Sequence, residues 1–298
     1  MILVTGGTGF VGSHLIRRLR AEDIAVRAVV RNPARAGMLK DLGADVVAGD
    51  SADPASLERA AAGCERVVHL VGIIQEAKGA TFRGVHVDGT RNILHAAKKA
   101  GIRQFYYQSA LGTRPGAISA YHKTKWEAEE LVRESGIPFT IVRPSLIYGQ
   151  GDQFTIRLSG MIRLSPVLPV IGSGKSRVQP IYIDDVVSCI VKAVAGESFL
   201  NEMYEIGGPE QLTYEEVTAA LADILGVRRP VLHLPLGFMK AAAHVFEMVL
   251  PQPPVTTEQL VMLQEDNICS LRDIRDAFGI EPVAFREGLK KFLHKAVD

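Results

Sequence analysis

A short apolar run, Ile2–Thr5, leads directly into glycines at positions 6, 9 and 12, and residues 13–20 then carry a helical apolar pattern. No other feature constrains the fold as strongly. Apolar runs closed by glycine are how strands buried in a parallel sheet read. A helix entered through close-set glycines presents backbone N–H groups at its positive end, and the missing side chains let a ligand approach the backbone. Set between strand and helix, the G-x-x-G-x-x-G spacing suits a dinucleotide pyrophosphate. Gly6, Thr8, Gly9, Phe10, Val11 and Gly12 are therefore candidate cofactor contacts. An ordinary tight turn is the competing reading.

The first half of the chain alternates. Residues 25–30, 45–48, 66–71, 104–108 and 139–142 read as strands, and residues 33–42, 55–62, 84–100 and 121–134 read as helices. Repeated βα units imply an α/β fold, a doubly wound parallel sheet of Rossmann type with helices on both faces. Pro166, Pro169, Gly172 and Gly174 mark a looped excursion, and residues 181–183 and 186–195 then read as a return to the sheet. After Gly207-Gly208-Pro209 the chain turns mostly helical. The expected division is a nucleotide-binding domain of residues 1–149 and 176–207, with a smaller substrate-side region of residues 150–175 and 208–298.

A net charge of +1 gives no electrostatic case for nucleic acid or an anionic membrane surface. Cys64, Cys189 and Cys269 are widely spaced, which argues against a disulfide framework or a zinc site and for a reducing compartment. The first strand starts at Met1, leaving no room for a signal peptide, and no apolar run approaches the ~20 residues that span a bilayer. The expectation is a cytoplasmic protein without a resident metal.

In NAD-binding folds an acidic residue about 20 positions beyond the glycines takes the ribose hydroxyls. Here strand two ends Val30-Arg31-Asn32, with no acid, and Arg35 follows one helical turn later. A guanidinium there pairs with a 2′-phosphate, so NADP(H) is favoured over NAD(H); two solvated surface charges are the alternative. Asp50 and Ser51 follow the next strand, where Asp50 either accepts from an adenine amino group or caps the helix starting near Pro54.

Tyr121 and Lys125 stand four apart on a helix and share one face. A nearby ammonium favours the phenolate, which would lower the tyrosine pKa toward proton exchange with an alcohol. Ser109, at the end of the preceding strand, is placed to polarise a carbonyl. Spacing alone makes this pair weak; its position one βα unit past a serine at the sheet's carboxyl edge gives it weight. The expected catalytic set is Tyr121, Lys125 and Ser109, the same three also lining the cofactor. An exposed helix pair is the bland alternative.

Together these residues resemble the short-chain dehydrogenase/reductase superfamily, in its extended and atypical branches. The resemblance rests on Thr5-Gly6-Gly7-Thr8-Gly9-Phe10-Val11-Gly12, on Tyr121 with Lys125, and on Arg143-Pro144. The stretches Pro180-Ile181-Tyr182-Ile183-Asp184-Asp185-Val186 and Tyr204-Glu205-Ile206-Gly207-Gly208-Pro209 are similar to the nucleoside-diphosphate-sugar epimerase pattern. His69-Leu70-Val71-Gly72 and the Leu250-Pro251 region look most like the subgroup containing the NADPH-binding accessory subunit of respiratory complex I. The resemblance implies that Leu70, Val71 and Gly72 line the nicotinamide side and that Pro144, Ser145 and Leu146 follow the sixth strand beside the carboxamide. It implies hydride transfer at a carbinol or carbonyl carbon with tyrosine as acid/base, or else a non-catalytic NADPH-binding assembly protein. Partners would be a small-molecule substrate, apolar or a nucleotide sugar, with self-association or docking to a larger complex both open.

Two positions depart from the pattern. The family's N-V-x-G-T reads His86-Val87-Asp88-Gly89-Thr90, so a histidine replaces the relay asparagine; a helix-surface histidine without chemical duty is the favoured reading, a substitute relay the other. The arginine that holds a sugar-nucleotide diphosphate falls on Val178, with Arg177 one place off and facing the opposite side of a strand. His122 reads as a bystander on another helix face, His69 as a hydrogen-bonded core residue, and Asp184 and Asp185 as a helix cap. Residues 236–250 are apolar on most faces, broken by Lys240, His244 and Glu247, and fit a pocket wall or packing helix, a dimer contact, or a membrane-surface helix. Their single lysine disfavours the last. Pro251, Pro253 and Pro254 end this helix, and residues 257–264 resume helical character.

Overall fold

The computed structural model describes residues 1–77, 79–250 and 253–293. In chain order its first half runs β1 (Ile2–Thr5), α1 (Phe10–Ala21), β2 (Val26–Val30), α2 (Gly37–Asp41), β3 (Asp45–Ala48), α3 (Pro54–Ala61), β4 (Arg66–His69), α4 (Gly89–Lys99), β5 (Gln104–Gln108), α5 (Ala120–Arg133) and β6 (Phe139–Pro144). There follow β7 (Ile147–Tyr148), α6 (Gln153–Leu164), β8 (Leu168–Ile171), β9 (Arg177–Val178), β10 (Ile181–Tyr182), α7 (Ile183–Ala195) and β11 (Glu202–Ile206). The remainder is β12 (Leu212–Thr213), α8 (Tyr214–Ile224), β13 (Val231–Leu234), α9 (Leu236–Val249), α10 (Thr257–Met262) and α11 (Phe285–Leu293).

A seven-stranded sheet has the order β11-β6-β5-β4-β1-β2-β3, and every neighbouring pair from β1 to β6 is parallel. This is a Rossmann-like α/β fold. The strand order reverses between β1 and β4, and ligands of such sheets bind beyond the carboxyl ends at this switch point. Apolar composition dictates the layering. All four residues of β1 are buried, whereas edge strand β3 is at most half-buried. Leu3, Val67, Phe105 and Ile141 share one cluster with Ile93 of α4 and Leu57 of α3.

The segment at 33–42 is broken: Asn32 caps a 3-10 turn, Pro33–Arg35, and α2 starts only at Gly37. The one at 84–100 opens with a π-helical turn, Arg83–Asp88, before α4. The return to the sheet takes another form than expected. Ile181–Tyr182 pairs with Ile147–Tyr148 in a separate two-stranded sheet, residues 183–195 form α7, and the added strand is β11. An apolar run buried all round does not distinguish helix from strand. Asp184 and Asp185 in its first turn favour the helix end.

The described chain divides into two compact units, Met1–Arg143 with Val187–Tyr204, and Pro144–Val186 with Glu205–Asp298. In the second unit the ring of Tyr148 packs 4.8 Å from Phe285 and 5.6 Å from Tyr182. Helix α9 turns Met239, Ala243 and Phe246 inward and leaves Phe238, Val245, Met248 and Val249 exposed. It ends at Val249, and Pro251 lies outside the described residues. No helix among the described residues is long and apolar enough to cross a membrane.

Candidate active site

The turn between β1 and α1 leaves little room for a side chain at its glycines. A Cβ on Gly12 would lie 2.2 Å from the carbonyl oxygen of Gly6, and one on Gly9 would lie 3.1 Å from it. Gly6 has φ +77°, and a Cβ there would stand 3.2 Å from Leu70 C and Val71 N. The Gly9 N–H donates to Gly6 O at 2.9 Å, and Gly9 is the N-cap of α1, with no side chain capping that end and no acid in its first turn. Thr8 is exposed on the turn, Phe10 half-buried, and Val11 buried beneath it. Bare backbone at the positive end of a helix fits a cofactor's pyrophosphate.

Arg31 directly follows β2, which pairs with β1 in register Thr5↔Val29. Arg31 and Arg35 are exposed, and among the described residues neither guanidinium has a carboxylate or hydrogen-bond partner. Asp50 is not the helix cap: Asp53 accepts the Ala55 and Ser56 amides at the start of α3. The Asp50 carboxylate takes the Ala52 N–H at 2.9 Å, and the Ser51 carbonyl accepts from Asn92 Nδ2 at 2.8 Å. An acid three residues nearer the helix competed for the cap and won.

Tyr121 and Lys125 sit in the first turns of α5, started by Ser119 Oγ accepting the His122 N–H at 3.1 Å. Lys125 is buried. Its Nζ donates to Gln108 O at 2.9 Å and lies 4.9 Å from the Tyr107 ring centroid. Desolvation lowers its pKa to about 8, opposed by Glu129. Tyr121 is buried in an aromatic frame, with ring centroids 5.4 Å from His86, 5.2 Å from His122 and 6.0 Å from Phe82. The expected depression of its pKa is reversed, since burial pushes the phenol up to about 12. Desolvation is the sole cause of this shift, and the Lys125 ammonium contributes no resolved lowering. Ser109, buried just beyond β5, is hydrogen-bonded to Thr113 Oγ1 at 3.4 Å.

His86 is not a surface residue. It is fully buried, with Nδ1 2.9 Å from Thr124 Oγ1 and Nε2 3.1 Å from Ile73 N, and burial drives its pKa down to about 2. His122 is also buried, edge-to-face on Tyr121 rather than turned away from it. His69 is a core residue, bonded to Thr5 Oγ1 at 2.6 Å and Thr90 Oγ1 at 3.2 Å, with its pKa lowered to about 3 by burial. Thr124 and Phe82 complete the surroundings of Tyr121, and sequence reasoning missed both. Thr124 is three residues past Tyr121 on the same helix, the one local signal that could have exposed it.

One connected path emerges within the first unit. The glycine turn abuts Leu70 and Val71; a Cβ on the next residue, Gly72, would lie 3.3 Å from Lys125 Nζ and 3.6 Å from His86 Nε2. Lys125 binds the strand end that carries Ser109. Pro144, Ser145 and Leu146 belong to the other unit. There Ser145 Oγ is 2.7 Å from Asn267 Oδ1 and accepts the Gln179 N–H at 3.1 Å. Arg177 is paired with Asp266 at 2.8 Å, and Val178, on the opposite side of β9, is buried. Asp185 is no helix cap: its carboxylate accepts the Val283 N–H at 2.9 Å. Among the described residues no three His, Cys, Asp or Glu side chains are grouped to hold a metal ion.

The family described as NAD(P)H-binding matches residues 6–160. The chain is similar to a ceramide reductase of Caulobacter vibrioides, 34% identical over 250 residues that cover 82% of this chain and 77% of that one. It is also similar to subunit 9 of the NADH dehydrogenase [ubiquinone] 1 alpha subcomplex of Arabidopsis thaliana, 28% identical over 282 residues, covering 90% and 70%. Its fold matches an NADPH-dependent quinone oxidoreductase of Escherichia coli solved with NADPH, with TM-score 0.79 and 20% identity over 98% of this chain and 100% of that one. The glycine turn falls at the start of the matched region, which spans more than half of the sequence, and the chain belongs to the NAD(P)H-binding family.

Proposed function

We propose that this chain is an NADP(H)-dependent oxidoreductase that reduces an apolar carbonyl compound. The observation that carries this reading is the path from the glycine turn, through residues 70–72, to Lys125 and to His86, whose ring packs on Tyr121. Gly6, Gly9, Gly12, Thr8, Phe10 and Val11 would hold the pyrophosphate. Leu70, Val71, Gly72 and Lys125 would flank the nicotinamide ribose, and Asp50 and Ser51 would border the adenine. Arg31 and Arg35, unpaired and exposed beyond β2, would take the 2′-phosphate. The cofactor, when bound, supplies the hydride.

The protein's part is proton management. A phenol pushed up to about 12 stays protonated at neutral pH, so Tyr121 acts as the acid that delivers its proton to the carbonyl oxygen as the carbon is reduced. Lys125, one turn further on, offsets the charge left on the phenolate, and Ser109 donates to the substrate oxygen. An apolar substrate is favoured over a sugar nucleotide because Arg177 is engaged with Asp266 and the neighbouring position is Val178. The similarity to ceramide reductase supports the same choice.

Consumption of NADPH with decanal or menadione tests the proposal. Tyr121→Phe should abolish turnover while NADPH affinity stays nearly intact; turnover near the original rate refutes the acid role. Retention of NADPH with no oxidation across carbonyl and quinone substrates would favour a nucleotide-bound assembly protein, the reading that similarity to the complex I subunit supports.

A further inference from the structure

His86 joins three segments of the Met1–Arg143 unit: the π-helical turn that carries it, the chain after β4, and the first turn of α5. Its Nδ1 lies 2.9 Å from Thr124 Oγ1, and its Nε2 lies 3.1 Å from both the N and the O of Ile73. Thr124 Oγ1 is in turn 2.9 Å from Ala120 O and 3.0 Å from Tyr121 O. Its single hydroxyl proton goes to one of those carbonyls, which leaves the oxygen free to accept. The imidazole proton then sits on Nδ1 and is donated to Thr124, while the Nε2 lone pair accepts the Ile73 N–H. The opposite tautomer would donate to Ile73 O and strand the Ile73 N–H, the costlier omission. The charged or titratable groups facing the ring are Lys125, His69 and Tyr121; burial, the ammonium and His69 oppose protonation, and the Ile73 backbone contact favours it without overcoming them.

We propose that His86, with its proton on Nδ1, is a positioning residue that ties residues 70–73 to α5 and so holds the Tyr121 ring and the Gly72 edge of the site in one frame. The inference rests on Tyr121 as the proton donor. The ring spans both hydrogen bonds at once and packs edge-to-face on Tyr121.

Full-length protein labelled with ¹⁵N-histidine, with His86→Gln to identify the resonance, reads the tautomer directly. The expected spectrum shows the Nδ1–H form unchanged between about pH 5 and 8. His86→Phe should speed exchange of the Ile73 amide and lower kcat for decanal or menadione on the order of tenfold to a hundredfold. His86→Gln, which can still reach Ile73, should recover part of both. An Nε2–H spectrum, titration in that range, or unchanged Ile73 exchange in both variants overturns the proposal. If His86→Phe does not fold, the wild-type spectrum and the glutamine variant still decide. Failure of the Tyr121 reading looks different: Tyr121→Phe turns over normally while the His86 tautomer stays as expected.

Discussion

Gly12→Ala probes the geometry on which cofactor binding depends. The new methyl would sit 2.2 Å from Gly6 O, 2.8 Å from Gly7 Cα and 2.9 Å from Gly6 C. All three are backbone atoms, so no rotamer change relieves the contact, and the turn has to open by roughly 1 Å toward normal van der Waals separation. Overpacking of this kind costs about 1–3 kcal/mol, and alanine's better helix propensity returns up to about 1 kcal/mol. A net loss of about 1–2 kcal/mol should lower the melting temperature by roughly 2–8 °C. Binding should suffer more, because Gly6 O also receives the Gly9 N–H that sets the entry to α1. A further 2 kcal/mol lost from cofactor contacts corresponds to an NADPH Kd raised about 30-fold. Fluorescence titration with NADPH and calorimetric melting read the two effects. Gly37→Ala is the control, since a Cβ there meets nothing within 4 Å. An alanine at position 12 that binds NADPH within about threefold of the parent and melts at the same temperature refutes the reasoning.

Arg31→Glu should weaken NADPH by at least about tenfold and leave NADH nearly unchanged in competitive titration; equal losses for both would remove the 2′-phosphate role. Lys125, lowered to about 8 when folded against 10.5 as its ordinary value, binds fewer protons in the native state between those values. Stability of the parent should therefore rise across that window relative to Lys125→Met, as read by urea melts, and a flat difference contradicts the buried-lysine reading. His69 and His86 are lowered to about 3 and about 2, so the unfolded chain takes up their protons first on acidification. Stability should fall as pH drops below about 6.5, by up to about 1.4 kcal/mol per pH unit per histidine, and His69→Asn should shallow that slope.

The β1–turn–α1 unit was legible because its signals are local: an apolar run, glycines at fixed spacing, then a helical stripe. The same holds for β3 and β5, whose bounds coincide with the apolar stretches that predict them. What the sequence concealed depends on long-range contact. His86 is flanked in the chain by Val85 and Val87, which do not point to its partners at Ile73 and Thr124, 13 and 38 residues away. Tyr121 lies on helix α5 with Lys125, but its pKa is decided by Phe82, His86 and His122 closing around it, and spacing does not register that burial. In the second unit, four-residue strands such as β8 and β13 pair across some 60 positions, too short and too far apart for local pattern to announce them.

Calorimetric titration of the purified full-length chain with NADPH and NADH bears most directly on the whole account. The expected result is saturable binding of NADPH, tighter than NADH, and weakened about 30-fold in Gly12→Ala. Heats indistinguishable from dilution for both nucleotides would contradict it.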